Sequence, residues 1–229
     1  MGWPIAGVWL RDESHSHIAE LLGTSRVDLN DLARDSELLL VAVSDDAMQP
    51  VIDAIPPTAA IVFHASGGSP SPAGGFSLHP LRALPTLGTP SDLEGALLVF
   101  EGEHRKTARL IAAAAGARFA EITAAQKPLY HAAAVFGSNY VAAMIDIASQ
   151  LMTKSGVPDN RAELLALADS ALRNWGSNLD ARRFTGPAAR GDEAVVRAHI
   201  DALANDPQLE AIYRLLAERI AGSNLATDE

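Results

Sequence analysis

Lys127 and His131 stand one helical turn apart in "KPLYHAAAVFGSNYVAAMIDIASQLM", residues 127–152 of an alanine-rich, otherwise apolar stretch. At about 100° per residue, His131 lies about 40° from Lys127 and Ser138 returns to within about 20° of it, flanked by Tyr130. Asn139 falls about 120° away. A lysine beside a low-dielectric pocket is a useful proton donor, because desolvation lowers its pKa towards neutrality. A histidine one turn on can share that proton or hold a substrate oxygen. The plain alternative is a helix start with a snorkelling lysine and a satisfied histidine.

Two further segments carry usable chemistry. "HASGGSPSPAGGFSLHPL" (64–81) follows an apolar run, so His64 caps a strand and Ser66, Gly67 and Gly68 form a loop whose backbone N–H groups can approach a ligand. His79 and Pro80 close a second short extended piece. Competing with this is an ordinary Gly/Ser/Pro loop with histidines bonded to backbone. In "RRFTGPAARGDEAVV" (182–196), Asp192 is a plausible N-cap. Arg190 beside a helix start makes an anion site, or simply a capped loop. Three histidines, His64, His79 and His131, could converge on zinc, but no HxH or HExxH pairing supports a metal hydrolase.

These groups need elements to hold them. "PIAGVWL" (4–10), "ELLLVAVS" (37–44), "AAIVFHAS" (59–66), "ALLVFEG" (96–102) and "ARFAEI" (117–122) read as strands. The run at 37–44 is apolar enough for burial on both faces. "ESHSHIAELLG" (13–23), "DDAMQPVIDAI" (45–55) and "HRKTARLIAAAAG" (104–116) read as helices between them. That alternation predicts an α/β fold with a mostly parallel sheet over residues 1–123. From residue 124 no strand recurs. Helices at 126–154, 159–175, 192–204 and 207–221 predict an all-helical second domain, 124–229.

Composition narrows the function. The 229 residues are 48% hydrophobic with net charge −10, enough for a real core and unfavourable to nucleic acid without a basic patch. No cysteine is present, which removes thiol catalysis and thiolate zinc sites. No apolar run approaches the roughly 20 residues of a membrane span, and the start lacks the plan of a signal peptide. The expectation is a cytoplasmic protein with neither nucleic acid nor membrane as partner.

"LLLVAVSDDAM", "FHASG", "SLHPLRALP", "KPLYHAAAVFGSNY" and "TGPAARGD", in this order, make the chain resemble a bacterial Rossmann-like group of oxidoreductases described as a domain of unknown function. That group is similar to ketopantoate reductase, pyrroline-5-carboxylate reductase, prephenate dehydrogenase, and the 6-phosphogluconate and 3-hydroxyisobutyrate dehydrogenases. The resemblance implies a Rossmann domain, a helical domain that often builds a homodimer, NADP or NAD as cofactor, and a small carbonyl, imine or hydroxyacid as substrate. Related hydroxyacid dehydrogenases carry a lysine and an asparagine four apart on the first long helix after the nucleotide domain. Here Lys127 matches and His131 replaces the asparagine. By this likeness Lys127 is the general acid/base, with His131 beside it. Ser138, Asn139 and Arg190 hold substrate, and His64, Ser66 and His79 line the opposite wall. Arg11, Ser44 and Asp45 face the cofactor, and an arginine suits the 2′-phosphate of NADP.

The family also opens with a strand and a G-x-G-x-x-G turn, which this sequence lacks. The expectation is a sheet without its first strand and weak or absent nucleotide binding. The alternative is a non-catalytic relative kept for ligand sensing or dimerisation.

Overall fold

A computed structural model describes residues 3–11, 17–84, 90–177 and 184–225. Five strands, β1 (Leu38–Val41), β2 (Ile61–His64), β3 (Phe76–Pro80), β4 (Leu97–Gly102) and β5 (Arg118–Glu121), form one sheet in sequence order. All pairs are parallel except β3 and β4, which run antiparallel. Before β1 come α1 (His17–Leu21) and α2 (Leu29–Asp35). Helix α3 (Asp45–Ala54) crosses from β1 to β2, and α4 (Arg105–Ala114) from β4 to β5. Helices α5 (Lys127–Gly137), α6 (Asn139–Lys154), α7 (Arg161–Ser177), α8 (Pro187–Arg190), α9 (Glu193–Leu203) and α10 (Pro207–Leu225) follow, so the α/β-then-helical plan holds. The chain divides into two compact units, Met1–Val141 and Ala142–Glu229. Helix α5 therefore groups with the sheet.

Side-chain alternation gives the sheet two different faces. On one, Phe76, Leu78, Leu98 and Phe100 pack with Ala108 and Ala112 of α4. Phe63 stacks on Phe76 with ring centroids 4.8 Å apart. On the other, Val41 packs with Met48 and Val51 of α3, joined by Trp9 and Val62.

Several details depart from the sequence reading. Residues 4–10 are not a strand of the sheet; Val8 makes one isolated parallel bridge to Arg26, and its amide donates to the Ser25 carbonyl at 3.0 Å. The run at 37–44 shortens to β1 because Ser44 already caps α3. β1 alternates rather than being buried on both faces: Leu39 and Val41 are buried, Leu40 is 55% exposed. Helix α2 was not expected; Asp28 caps it, accepting from the Asn30 amide at 2.8 Å. Residues 13–16 of the first expected helix lie outside the described residues.

A further departure concerns the opening helix. Ser138 breaks it, with φ −132° and ψ −76°. Its hydroxyl donates back to the Ala134 carbonyl at 2.7 Å, the local competition by which serine bends helices. Contrary to the expectation that no apolar run is long enough, Ala124–Lys154 taken together matches a membrane span in length and composition. The break divides it into pieces of 11 and 16 residues, roughly 16 and 24 Å long, neither reaching the roughly 30 Å of a hydrocarbon core. The first residue of α5, Lys127, is also pinned against the sheet, as follows.

Candidate functional site

Register places a polar rung across the face opposite α4. His64 pairs with Ser77, and Ser77 with Glu101, on three adjacent strands. His79, two residues beyond Ser77, projects from the same face. Helix α5 brings Lys127, Tyr130 and His131 over this rung.

Lys127 is buried, not at the rim. Its ammonium lies 3.2 Å from Glu101 Oε2 and also donates to Ser77 Oγ. The Lys127 and Glu101 side chains are 4% and 6% exposed. Glu101 in turn accepts from the Ser71 amide at 3.0 Å and the Ser71 hydroxyl at 2.9 Å. Burial pulls Lys127 below the ordinary lysine pKa, against the opposing pull of Glu101. One ion pair thus ties α5, β3, β4 and the 65–75 loop together.

His64 is wholly buried. Its Nδ1 accepts from the Ser66 amide at 3.1 Å, so Nε2 carries the proton and donates to the Pro70 carbonyl at 2.8 Å. Burial lowers its pKa. Ser66 Oγ accepts from the amides of Gly68 and Ser69 at 3.1 and 2.9 Å. Those two donors serve the loop's own shape.

The half-buried rim lies one step further. The Tyr130 hydroxyl donates to His79 Nδ1 at 2.6 Å, the imidazole nitrogen being the better acceptor of the two. The His131 ring stands edge-on to His79, centroids 6.1 Å apart. Gly67 and Gly68 press against both rings. A Cβ on Gly67 would fall 2.8 Å from His131 Cδ2 and 2.9 Å from His79 Nε2; one on Gly68 would fall 3.0 Å from His131 Nδ1 and 3.8 Å from Asp45. Burial, helped by His131 and Lys127, lowers His79 to about 4, and burial raises Tyr130 to about 12. At neutral pH the pair is a neutral imidazole and an intact phenol.

The structure therefore brings His79, His131, Asp45 and the loop after Ser66 together at the carboxyl ends of β1–β3, with Lys127 and His64 one layer beneath. It does not bring Ser138 and Asn139 there; both are exposed at the break, with Ser138 Oγ 2.9 Å from the Asn139 side-chain amide. Arg11 and Ser44 lie near the start of α3, where Ser44 and Arg11 both hold the Asp46 carboxyl below its usual pKa, the serine hydrogen bond contributing more. Arg190 is exposed at the end of α8 in the second unit. Residues 182–183 of its segment lie outside the described residues.

Sequence reading missed Glu101, Ser77, Ser71 and the bonding role of Tyr130. A carboxylate inside "LLVFEG" was the available signal: a buried strand acid needs a cation.

Among the described residues, no three His, Asp or Glu side chains cluster to hold a metal, and both nitrogens of His64 are engaged. A nicotinamide nucleotide fits in part. Arg11 suits a ribose phosphate and Ser44 and Asp45 suit ribose hydroxyls, but the first turn of α3 carries two carboxylates. None of the described elements is a glycine-rich turn that would cradle a diphosphate.

A model of the family described as Domain of unknown function (DUF2520) matches residues 97–220. No curated protein matches the chain significantly. Among solved structures, a "putative NADP oxidoreductase" of Bacteroides fragilis is 24% identical with TM-score 0.78, over 96% of this chain and 90% of its own. A Thermotoga maritima protein is 20% identical with TM-score 0.77, over 97% and 92%. A reductive aminase of Aspergillus terreus, solved with NADPH4, cyclohexanone and allyl amine, is 17% identical with TM-score 0.63, over 95% and 85%. At these identities the likeness is one of fold: a Rossmann-like sheet followed by helices.

Proposed function

The chain belongs to the DUF2520 family, and from that premise we propose that it is an NAD(P)-dependent oxidoreductase acting on a small carbonyl, imine or hydroxyacid. The observation that carries this reading is the rim itself. Two imidazoles, His79 and His131, are fixed by Gly67 and Gly68 at the carboxyl ends of the parallel strands, where open α/β sheets bind ligands. Proteins of the same fold include a reductive aminase solved with NADPH and a pyrroline carboxylate reductase of Plasmodium falciparum solved with NADP.

A bound nicotinamide would supply or accept hydride. The chain's own residues do the rest. His131 and the Nε2 edge of His79 hold the substrate's polar atom. Lys127 acts from beneath, its charge held by Glu101; burial keeps His79 neutral, and His131 and Lys127 add to it. Arg11, Ser44 and Asp45 hold the ribose end of the nucleotide, Arg11 favouring NADP. Without a diphosphate turn among these residues, binding is weak. The apolar surface of α5, with Leu129 78% and Phe136 68% exposed, is covered by a second copy of the chain.

The test is titration with NADPH and NADH, read by nicotinamide fluorescence, followed by turnover of cyclohexanone with allylamine. Saturable binding that Arg11→Ala weakens for NADPH more than for NADH is expected. Absence of binding to either nucleotide at millimolar concentration refutes the proposal. One observation favours a second reading, a non-catalytic relative: the Gly68 and Ser69 amides are spent on Ser66 rather than offered to a ligand.

A further inference from the structure

We propose, resting on the oxidoreductase reading, that the proton accompanying hydride transfer comes from His79 Nε2 and that Tyr130 drives it through Nδ1, while Lys127 is a positioning residue. Three observations point this way. The Lys127 ammonium is buried and spends two of its donors on Glu101 and Ser77, so a substrate atom cannot reach it without dismantling the clamp. The Tyr130 hydroxyl and His79 Nδ1 are 2.6 Å apart; with the phenol assigned as donor, the ring proton sits on Nε2. That nitrogen faces Gly67, where any side chain would crowd it: a Cβ would stand 2.9 Å away.

The chemistry balances for reduction of a carbonyl. Hydride from a reduced nicotinamide forms the new C–H bond, and the π pair moves onto the carbonyl oxygen. That oxygen takes the Nε2 proton as the Tyr130 proton passes to Nδ1. The ring stays neutral with its tautomer reversed, and Tyr130 is left as phenolate. Water then protonates Nε2 and Nδ1 returns its proton to the phenolate. One hydride and one solvent proton are consumed. A neutral ring is needed throughout, because an imidazolium could not accept from the phenol. Burial keeps the ring neutral at physiological pH, and Lys127 and His131 reinforce this. The high pKa of the phenol is no obstacle, since a product alkoxide is a far stronger base.

The experiment uses the full chain, Tyr130→Phe and His79→Gln. Ring ¹⁵N NMR reads the His79 tautomer, and NADPH consumption with ethyl levulinate, or with cyclohexanone plus allylamine, reads turnover. The wild type is expected to hold His79 as the Nε2-protonated neutral tautomer between pH 5 and 8, a range about the ordinary histidine pKa. Tyr130→Phe is expected to give a tautomer mixture, with kcat lower on the order of 10²-fold, as for loss of general acid catalysis, and KM unchanged. His79→Gln should lose turnover to a similar degree. Turnover with His79 protonated on Nδ1, or full kcat in Tyr130→Phe, overturns the relay alone. No turnover by the wild type with any of these probes overturns the oxidoreductase reading and the relay with it.

Discussion

Replacing Glu101 by glutamine tests the buried ion pair most directly. The partners are 3.2 Å apart and almost fully shielded. At an effective dielectric of about 20, two unit charges at that distance attract by about 5 kcal/mol. Desolvation of both groups offsets most of this, so the pair as a whole stabilises little. Removing one charge is different, because the Lys127 ammonium is left buried against the neutral oxygens of Ser77 and the new amide, with no carboxylate bonded to it. The expected loss is about 3–5 kcal/mol, the range for breaking a buried pair. Lys127→Met should cost less, because Glu101 keeps both donors of Ser71. The double variant should recover part of the loss, giving a coupling of about 2 kcal/mol or more in the cycle. With two compact units, global unfolding need not be two-state. Hydrogen exchange of β3 and β4 amides is therefore the better assay, with urea unfolding beside it. A Glu101→Gln cost below about 1 kcal/mol, or additivity in the cycle, would show that water screens the pair as at a surface.

Three further outcomes follow from the same geometry. Gly75→Ala places a Cβ well inside contact distance of the Val62 carbonyl oxygen and 2.8 Å from Pro72 Cγ, so stability should fall by about 3 kcal/mol or more for want of any soft neighbour; thermal melts check this. His79 has a folded pKa of about 4. The unfolded ring therefore binds a proton that the folded one refuses, and stability should be full above about pH 6.5 and fall towards pH 4. With allowance for part exposure the loss is about 2 kcal/mol, and flat urea midpoints across that window would refute it. Sedimentation equilibrium should find a dimer that Phe136→Asp dissociates; a wild-type monomer at high concentration would refute the covering copy.

Periodicity revealed the sheet's later strands and the helices where apolar runs were long and capped. It failed where partners decide. Residues 4–10 have strand-like composition, but among the described residues the Val8 backbone bonds to the turn at Ser25–Val27 and not to a strand of the sheet. Leu40 is apolar yet exposed because β1 has one strand neighbour among the described residues. Ser138 was legible as a polar residue on a helical stripe, not as a break, since backbone dihedrals are not written in the 3.6-residue period. At the site, Lys127 and the three histidines stood out by residue type. Glu101 and Ser77 did not, because what joins them to Lys127 is cross-strand register, a relation among residues 26 and 50 positions apart.

That rung of His64, Ser77 and Glu101 has a consequence for assembly of the sheet. A slip of one residue between β3 and β4 turns every side chain of one strand to the wrong side. It would drive Glu101 among the phenylalanines and leave the ammonium of α5 facing Phe100. Misaligned sheets thus strand a charge at once, before the aromatic layer can reward them. The clamp works as a proofreading mark for alignment, discarding wrong pairings that hydrophobic contacts alone would tolerate.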